Sequence, residues 1–354
     1  MKFKEKIFKN SNMISVDQFF NHVLFDKKYG YYNKKYPFGK CGDFITSPFV
    51  SPLFSEMIAI WIISIWENFG KPNKFNIVEL GPGDGKLIKI LDKTFQKFDK
   101  FQKSINIYLY EKSSLLKKIQ KKNIENKKIK WVTNFSKITD GPVIFIGNEF
   151  FDAIPIKQFL RKDSDILEKK FFLNKNNKIL EKFTAAKLED VNFINKFRTL
   201  KNNKFIEFPK LGFGELDKIT KKISKNTGGI LLIDYGYSNQ VNKSTLQSVK
   251  KHKKNKLLDD LGSADITSLV NFKLLKEYFE NKNLKVKNIV TQSFFLKKIG
   301  IVERANILSI KMSFKDKIDL YERLKRLLSP YSMGSLFKVI FAFKNKKNNF
   351  IGFN

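Results

Sequence analysis

The sequence contains little cysteine, histidine or arginine, and each shortage removes a class of chemistry. One cysteine, Cys41, occurs in 354 residues, which excludes a disulfide framework and a cysteine-based zinc site. The two histidines, His22 and His252, are too few for a typical histidine metal site and argue against a Ser-His-Asp triad. We therefore expect no metal.

Arginine is scarce although the chain is strongly basic. Lysine and arginine together number 68 against 34 acidic residues, which gives a formal charge of +34, and such a chain can bind nucleic acid. Arginine, the residue that makes forked contacts to phosphate and guanine, occurs only five times, and the lysines are spread through nearly every segment. This pattern favours a solvated basic surface and leaves nucleic acid as the less favoured partner.

Long apolar segments are also absent. The N-terminal sequence MKFKEKIFKNSN has neither the apolar stretch of a signal peptide nor the arginine-rich, acid-free composition of a transit peptide. The longest strongly apolar run, residues 57–66, is about half of a membrane span and is typical of a buried helix. We expect no membrane span and a reducing compartment: bacterial cytoplasm, or the mitochondrial matrix in a eukaryote, although no transit peptide is seen.

Short runs of β-branched and aromatic residues alternate with helical patterns in the first half of the chain. Four such runs occupy residues 75–80, 105–111, 128–135 and 142–147. This alternation predicts a parallel sheet. Three later runs, at residues 228–236, 284–290 and 336–343, bring the predicted sheet to seven strands. The stretch from about 160 to 215 is too long for a structureless loop, so we expect it to hold inserted strands and helices.

The segment FNIVELGPGDGKLIKIL, residues 75–91, places three glycines, Gly81, Gly83 and Gly85, between a predicted strand and a predicted helix. Both the P-loop and the dinucleotide fingerprint, counted from the first of these glycines, require a glycine or another small residue at position 86, which is lysine. The observed spacing, E-x-G-x-G-x-G, instead suits a nucleoside without a pyrophosphate and favours S-adenosylmethionine. Glu79 before the loop and Glu111 at the next strand end, where an acid can hold ribose hydroxyls, complete the predicted cofactor site.

A loop rich in acidic and aromatic residues, GNEFFDAIPIKQF, follows the fourth predicted strand. In an open α/β sheet, ligands bind over the carboxyl ends of the strands, so this loop should lie beside the glycine loop. Methyl transfer requires donor and acceptor to be held in line, while carboxylates and amides can orient a nitrogen and take up its proton. We therefore predict Asn148, Glu149 and Asp152 as catalytic residues; the alternative is a capped loop with two core aromatics.

Nine segments, in chain order, share one family pattern. They are GYY (30–32), GDFITSP (42–48), VELGPG (78–83), NEFFDAIPIKQF (148–159), LLIDYGY (231–237), STLQSVKKH (244–252), GSADITSLVNF (262–272), TQSFFLKKIGI (291–301) and MGSLFKV (333–339). By these segments the chain resembles the MidA-like family of S-adenosylmethionine-dependent methyltransferases. The family includes the mitochondrial complex I assembly factor that dimethylates an arginine of a NADH:ubiquinone oxidoreductase subunit.

This resemblance implies a class I methyltransferase fold of the α/β type: a Rossmann-like, seven-stranded sheet with an N-terminal helical cap at residues 1–70. The methyltransferase domain would occupy residues 71–354, with an inserted subdomain at about 160–215 between strands 4 and 5. The resemblance also adds Thr46 to the cofactor site and places Asp234, Tyr235 and His252 on the substrate side. For His252, an exposed position in a basic run is the alternative.

The implied reaction is symmetric dimethylation of a protein arginine, on a respiratory complex I subunit or an equivalent protein. Two departures from the family pattern bear on this expectation. Phe49 stands where the family usually has a glutamate, and Asp84 stands where it usually has an arginine. A missing carboxylate could weaken the hold on a guanidinium. The alternatives are an RNA methyltransferase, suggested by the charge, and a cofactor-binding assembly factor without turnover.

Overall fold

The computed structural model of the chain describes residues 3–34 and 45–354. The chain forms two compact units. The smaller unit comprises residues 1–44, 152–217 and 237–278, and the larger unit comprises residues 45–151, 218–236 and 279–354. The segment predicted as a single N-terminal cap, residues 1–70, is thus divided between the two units. Cys41 and the first three residues of the GDFITSP segment lie outside the described residues.

The elements are named in chain order. The helices are α1 Phe3–Ile7, α2 Val16–Phe25, α3 Tyr31–Lys34, α4 Ser47–Val50, α5 Pro52–Asn68, α6 Lys86–Phe95, α7 Asp99–Ser104, α8 Ser114–Asn123, α9 Leu188–Ile194, α10 Lys210–Asn226, α11 Phe272–Asn281, α12 Gln292–Lys298, α13 Ile301–Ser309, α14 Phe314–Leu328 and α15 Met333–Leu336. The strands are β1 Met13–Ser15, β2 Phe75–Leu80, β3 Ile105–Tyr110, β4 Lys130–Val132, β5 Val143–Asn148, β6 Lys157–Lys162, β7 Asp165–Leu173, β8 Ile179–Ala185, β9 Phe205–Phe208, β10 Gly228–Tyr237, β11 Gln247–Lys250, β12 Lys253–Asn255, β13 Asp265–Thr267, β14 Val270–Asn271, β15 Lys285–Val286, β16 Val290–Thr291 and β17 Phe337–Lys344.

The large sheet has a main path of seven strands in the order β15-β17-β10-β5-β2-β3-β4. The five strands from β10 to β4 are parallel, and β17 runs antiparallel to β10. Every residue of β2 is buried, which is typical of a central parallel strand covered on both faces. The predicted α/β sheet is confirmed, and its parallel strands place their carboxyl ends at one edge.

Two predicted strands are shorter in the structure than in the sequence pattern. The run at 128–135 forms only β4, because the Asn134 side chain accepts a hydrogen bond from the Ser136 amide at 2.9 Å and begins a short 3₁₀ turn. The run at 284–290 forms two separate two-residue strands, β15 and β16, both antiparallel to β17. In both cases the apolar run correctly indicated a strand, but it did not predict how many residues pair with the neighbouring strand.

Helix α5 carries the most apolar segment of the chain and packs in the core of the larger unit. The Trp61 ring is fully buried and meets Phe341 of β17 edge to face at 5.0 Å. The Ser51 side chain caps the helix by accepting from the Leu53 amide, and Pro52 occupies its first position. Across residues 3–34 and 45–354, no helix combines the length and apolar character needed to cross a membrane.

The smaller unit contains a five-stranded antiparallel sheet in the order β1-β7-β6-β9, with β8 paired to β7. Strands β6 to β9 and helix α9 come from the long stretch between β5 and β10. The N-terminal segment contributes β1 to this sheet and packs α2 against it, with the Phe19 and Phe171 rings 4.6 Å apart. The N-terminal segment is therefore not wholly helical.

A buried ion network joins β6, β7 and α9 in the smaller unit. The Lys157 ammonium lies 2.6 Å from Glu168 Oε1 and 3.0 Å from Asp190 Oδ2, and Asp190 also accepts from Lys210 at 2.8 Å. Both acidic side chains are almost completely buried. Removing the central ammonium would take from the buried Glu168 its nearest cation, while Asp190 would keep only Lys210.

We expect Lys157→Met to lower the free energy of unfolding by about 3 kcal/mol, because an uncompensated buried charge costs more than the pair contributes. Urea unfolding followed by circular dichroism measures this change. Lys170→Met is the matched control, since Lys170 is more exposed and lies 3.7 Å from Glu168 Oε2. Equal losses in the two variants would contradict the prediction.

Candidate functional site

The glycine loop joins β2 to α6 at the carboxyl edge of the large sheet. Its three glycines, Gly81, Gly83 and Gly85, have φ values of 59°, 56° and 86°. This left-handed region is strained for residues with a β-carbon, so the loop conformation depends on glycine. The loop is anchored to the next strand, since the Gly81 amide donates to the Tyr110 carbonyl at 3.0 Å.

Two of these glycines also permit close packing. A β-carbon on Gly81 would lie 2.9 Å from Cδ2 of Phe150, and one on Gly85 would lie 2.9 Å from Cδ1 of Ile124. Phe150 belongs to the acidic aromatic loop after β5. The structure thus brings that loop against the glycine loop, as the order of the parallel strands predicted.

Glu79 and Glu111 are both buried at the carboxyl edge of the sheet. Burial, with smaller contributions from the negative charges of Asp84 and Glu111, raises the pKa of Glu79 to about 8. Burial also raises the pKa of Glu111, against the opposing effect of the Ser113 amide, which donates to Glu111 Oε1 at 2.7 Å. Glu79 Oε2 is buried without a hydrogen-bond partner among the described residues. An unsatisfied buried oxygen is a candidate ligand contact.

Asn148 and Glu149 form a hydrogen-bonded pair where β5 ends. Asn148 Nδ2 donates to Glu149 Oε1 at 3.2 Å, and the Ser47 amide donates to the same oxygen at 3.0 Å. Thr46 precedes α4, and its side chain makes no capping hydrogen bond to the helix. The Glu149 carboxylate instead accepts the hydrogen bond from the first backbone amide of this short helix. Two predicted site residues, Asn148 and Glu149, are therefore bonded to each other, and Glu149 is bonded to the residue that follows Thr46.

The backbone at Glu149 is strained. Its φ of 51° lies in the left-handed region, and its amide is held by the Ile233 carbonyl at 2.9 Å. Such strain in a non-glycine residue costs energy and tends to occur at functional sites. Beside it, Asn148 Oδ1 is buried and has no hydrogen-bond partner among the described residues. The pair thus combines a constrained carboxylate with an available amide oxygen.

The remaining predicted site residues lie in different surroundings. Asp234 is 1% exposed, and its two oxygens accept from the Phe151 amide at 2.8 Å and from its own neighbour, Tyr235, at 2.9 Å. Its carboxylate therefore anchors the loop after β5, and its place on the substrate side stays a prediction. The half-buried Tyr235 packs 5.6 Å from the Phe337 ring.

Asp152 and His252 belong to the smaller unit. Asp152 is buried, and its backbone carbonyl accepts from the Ser268 amide at 3.1 Å. His252 is exposed in the two-residue turn between β11 and β12, where both it and Lys251 have positive φ values of 60° and 50°. This turn geometry accounts for the position of His252 at a hairpin tip. Across the described ranges, no three metal-ligating side chains form a metal site.

Sequence reasoning missed two polar side chains of α8 that hold the glycine loop. Gln120 donates to the Gly83 carbonyl at 2.8 Å, and Asn123 donates to the Asp84 carbonyl at 3.0 Å. They stand three residues apart, so they share a face of the helix. The sequence signal that could have identified them is a pair of amide side chains at helical spacing on the helix that follows Glu111.

A sequence model of the family described as "putative S-adenosyl-L-methionine-dependent methyltransferase" matches residues 57–290. The chain belongs to this family. The predicted activity and cofactor of the chain, methyl transfer that depends on S-adenosylmethionine, are thereby confirmed at the family level.

Similar proteins agree with this assignment. Protein arginine methyltransferase NDUFAF7, mitochondrial, of Xenopus laevis is 28% identical, covering 93% of this chain and 81% of that protein. The human protein of the same name is 27% identical, with 93% and 80% covered. A crystal structure from Burkholderia thailandensis with S-adenosyl-homocysteine bound matches with a TM-score of 0.82 at 19% identity, covering 99% of this chain and 92% of that one. This last similarity shows a shared fold.

The buried Glu79 predicts a specific dependence of stability on pH. Between about pH 4.5 and pH 8 the unfolded chain releases this proton while the folded chain retains it, so stability falls as pH rises. Glu79→Gln keeps an acceptor oxygen and removes the titration. We expect the melting temperature of the variant, relative to that of the wild type, to increase as pH rises from 5 to 9. Thermal unfolding at each pH measures this difference.

Glu67→Gln is the control for this measurement, because Glu67 is exposed on α5. Its melting curve should follow that of the wild type at every pH. If the difference in melting temperature between Glu79→Gln and the wild type were the same at every pH, the pKa of Glu79 would not be raised.

Proposed function

We propose that the chain transfers methyl groups from S-adenosylmethionine to an arginine of a protein, and that the protein is a respiratory complex I subunit or an equivalent. The observation that carries this proposal is the Asn148–Glu149 pair, held in a strained conformation beside the glycine loop. The relatives named protein arginine methyltransferase support the acceptor. Their names also include "mitochondrial", and we extend the proposal to a matrix location or, in a bacterium, the cytoplasm.

The residues around the glycine loop fit the cofactor. Gly81, Gly83 and Gly85 would let the backbone approach its nucleoside, and Glu111 would hold the ribose hydroxyls. Glu79 offers a buried oxygen that has no partner among the described residues. Thr46 would border the bound cofactor from the start of α4. When bound, S-adenosylmethionine supplies an electrophilic methyl group on a positively charged sulfur.

The Asn148–Glu149 pair can orient a guanidinium. An arginine presents several N–H donors in a plane, and a carboxylate with an amide oxygen beside it can accept two of them. The acceptor nitrogen loses a proton as its new bond to carbon forms, and a carboxylate can take up that proton or pass it to water. We propose Glu149 for this role and Asn148 for orientation. Asp152 stays a catalytic candidate, and Asp234, Tyr235 and His252 stay candidates for the substrate side.

Phe49 bears on the acceptor because a carboxylate is usual at its position. The Lys86 ammonium lies 4.1 Å from the centre of the Phe49 ring, a cation–π contact between α4 and α6. The side chain at position 49 thus contacts the helix that follows the glycine loop. In this chain position 49 therefore supplies a contact with Lys86, and the proposed hold on the substrate guanidinium is assigned to Asn148 and Glu149.

We expect Gly83→Leu to abolish cofactor binding, because residues with a β-carbon rarely adopt the glycine φ of 56° and the loop must reorganise around the bulky side chain. Isothermal titration calorimetry with S-adenosylmethionine measures this loss. Gly214→Ala in α10 is the control, since a β-carbon there meets nothing within 4 Å. Unchanged affinity in folded Gly83→Leu would show that the cofactor binds elsewhere.

Glu149→Gln should separate binding from chemistry. The amide keeps an oxygen for the Ser47 amide but cannot take up a proton, so we expect methyl transfer to fall about a hundredfold or more while cofactor affinity changes little. Cells lacking the protein would be complemented with wild type or the variant, and their methylarginine peptides compared by mass spectrometry. We expect one methylarginine peptide to be absent from cells with Glu149→Gln and present in cells with the control variant Glu67→Gln.

The same experiment distinguishes the competing functions. The charge of +34 favours an RNA methyltransferase as the second candidate, and a missing methyl group on RNA instead of protein would support it. If the Glu149→Gln chain restored respiratory assembly with no methyl mark, the protein would act as an assembly factor without turnover. Either result would overturn the proposed reaction.

A further inference from the structure

Gln120 links the two parts of the candidate cofactor site. Its side chain is fully buried, and its amide nitrogen donates to two acceptors: the Gly83 carbonyl at 2.8 Å and Glu111 Oε2 at 3.2 Å. One amide group therefore bridges the glycine loop and the carboxylate at the end of β3. The bridge uses both hydrogens of the nitrogen.

The orientation of this amide is fixed by a third contact. Trp131 Nε1 donates to Gln120 Oε1 at 2.8 Å. Because an indole N–H can only donate, it selects the oxygen of the amide and turns the nitrogen toward Gly83 and Glu111. Both donor hydrogens and one acceptor position of Gln120 are thereby used, and Trp131, which lies in β4, fixes the orientation of the amide.

Only glutamine satisfies this set of partners. A glutamate at position 120 would place a second carboxylate against Glu111 and against the Gly83 carbonyl. A methionine of similar length would leave the carbonyl, the carboxylate oxygen and the indole N–H without this partner, and buried polar groups without partners are costly. Shorter side chains on α8 would not span the distance.

We propose that Gln120 is a positioning residue that sets the ribose specificity of the cofactor site. By fixing one oxygen of Glu111, it directs the remaining acceptor positions of that carboxylate to the cofactor hydroxyls. It acts through Glu111 and does not need to touch the ligand. This inference rests on the proposed cofactor site, in which Glu111 holds the ribose.

The neighbouring residue Asn123 provides a matched control. It donates to the Asp84 carbonyl at 3.0 Å and so holds the same loop from the same face of α8. Asn123→Met should loosen the glycine loop without releasing Glu111. A general loss of loop structure and a specific loss of carboxylate position can therefore be distinguished.

The test compares the affinities of S-adenosylhomocysteine and its 2′-deoxy analogue for the full-length protein by calorimetry. We expect the wild type to prefer the ribose form by about tenfold or more, the effect of one hydrogen bond to a charged group. In Gln120→Met the preference should fall to about threefold or less. In Asn123→Met both affinities should fall together, with the preference unchanged.

A milder variant covers the case in which Gln120→Met does not fold. Trp131→Phe leaves Gln120 in place and removes the group that orients its amide, so the ribose preference should fall there too. An unchanged preference in either folded Gln120→Met or Trp131→Phe would overturn the proposal for Gln120. If instead the wild type shows no preference and Glu111→Gln binds as tightly, the proposed cofactor site itself is wrong.

Discussion

The site depends on one constraint of the sheet: parallel strands end at the same edge. Because β2, β3 and β5 run together, the loops that follow them are adjacent, and each must accommodate its neighbours. The tight contact between the Phe150 ring and Gly81 is a direct result. The glycine in the loop after β2 leaves the space that the aromatic ring in the loop after β5 fills.

Burial of acidic side chains is the second result of that adjacency. Glu79 and Glu111 lie among close-packed loops, and the protein provides the two carboxyl groups with different numbers of hydrogen bonds. Glu111 receives a backbone amide and the Gln120 side chain, whereas Glu79 has one oxygen with no partner among the described residues. These hydrogen bonds hold the Glu111 side chain in place and leave it further acceptor positions, whereas the Glu79 oxygen without a partner keeps all of its acceptor capacity for a ligand. The two acids are therefore suited to different tasks.

Much of this architecture could be read from the sequence because it rests on local patterns. The alternation of apolar runs located β2, β3, β5, β10 and β17 to within a residue or two, and the glycine spacing located the loop. The bridging role of Gln120 could not be predicted, since nothing local joins it to Trp131 and Gly83. The exact extents of β4, β15 and β16 were also missed, because strand ends depend on side-chain competition and on distant partners.

The buried carboxylate of Asp234 has a consequence for the order in which the site can form. The loop carrying Asn148 and Glu149 is held from β10, by the Ile233 carbonyl on the Glu149 amide and by Asp234 on the Phe151 amide. The ribosome makes β10 only after the whole inserted segment, so the glycine loop can be complete while the loop after β5 still lacks its anchor. A nascent chain stopped before β10 would have the predicted cofactor residues of β2 and β3, but the proposed catalytic pair would lack both of these anchors.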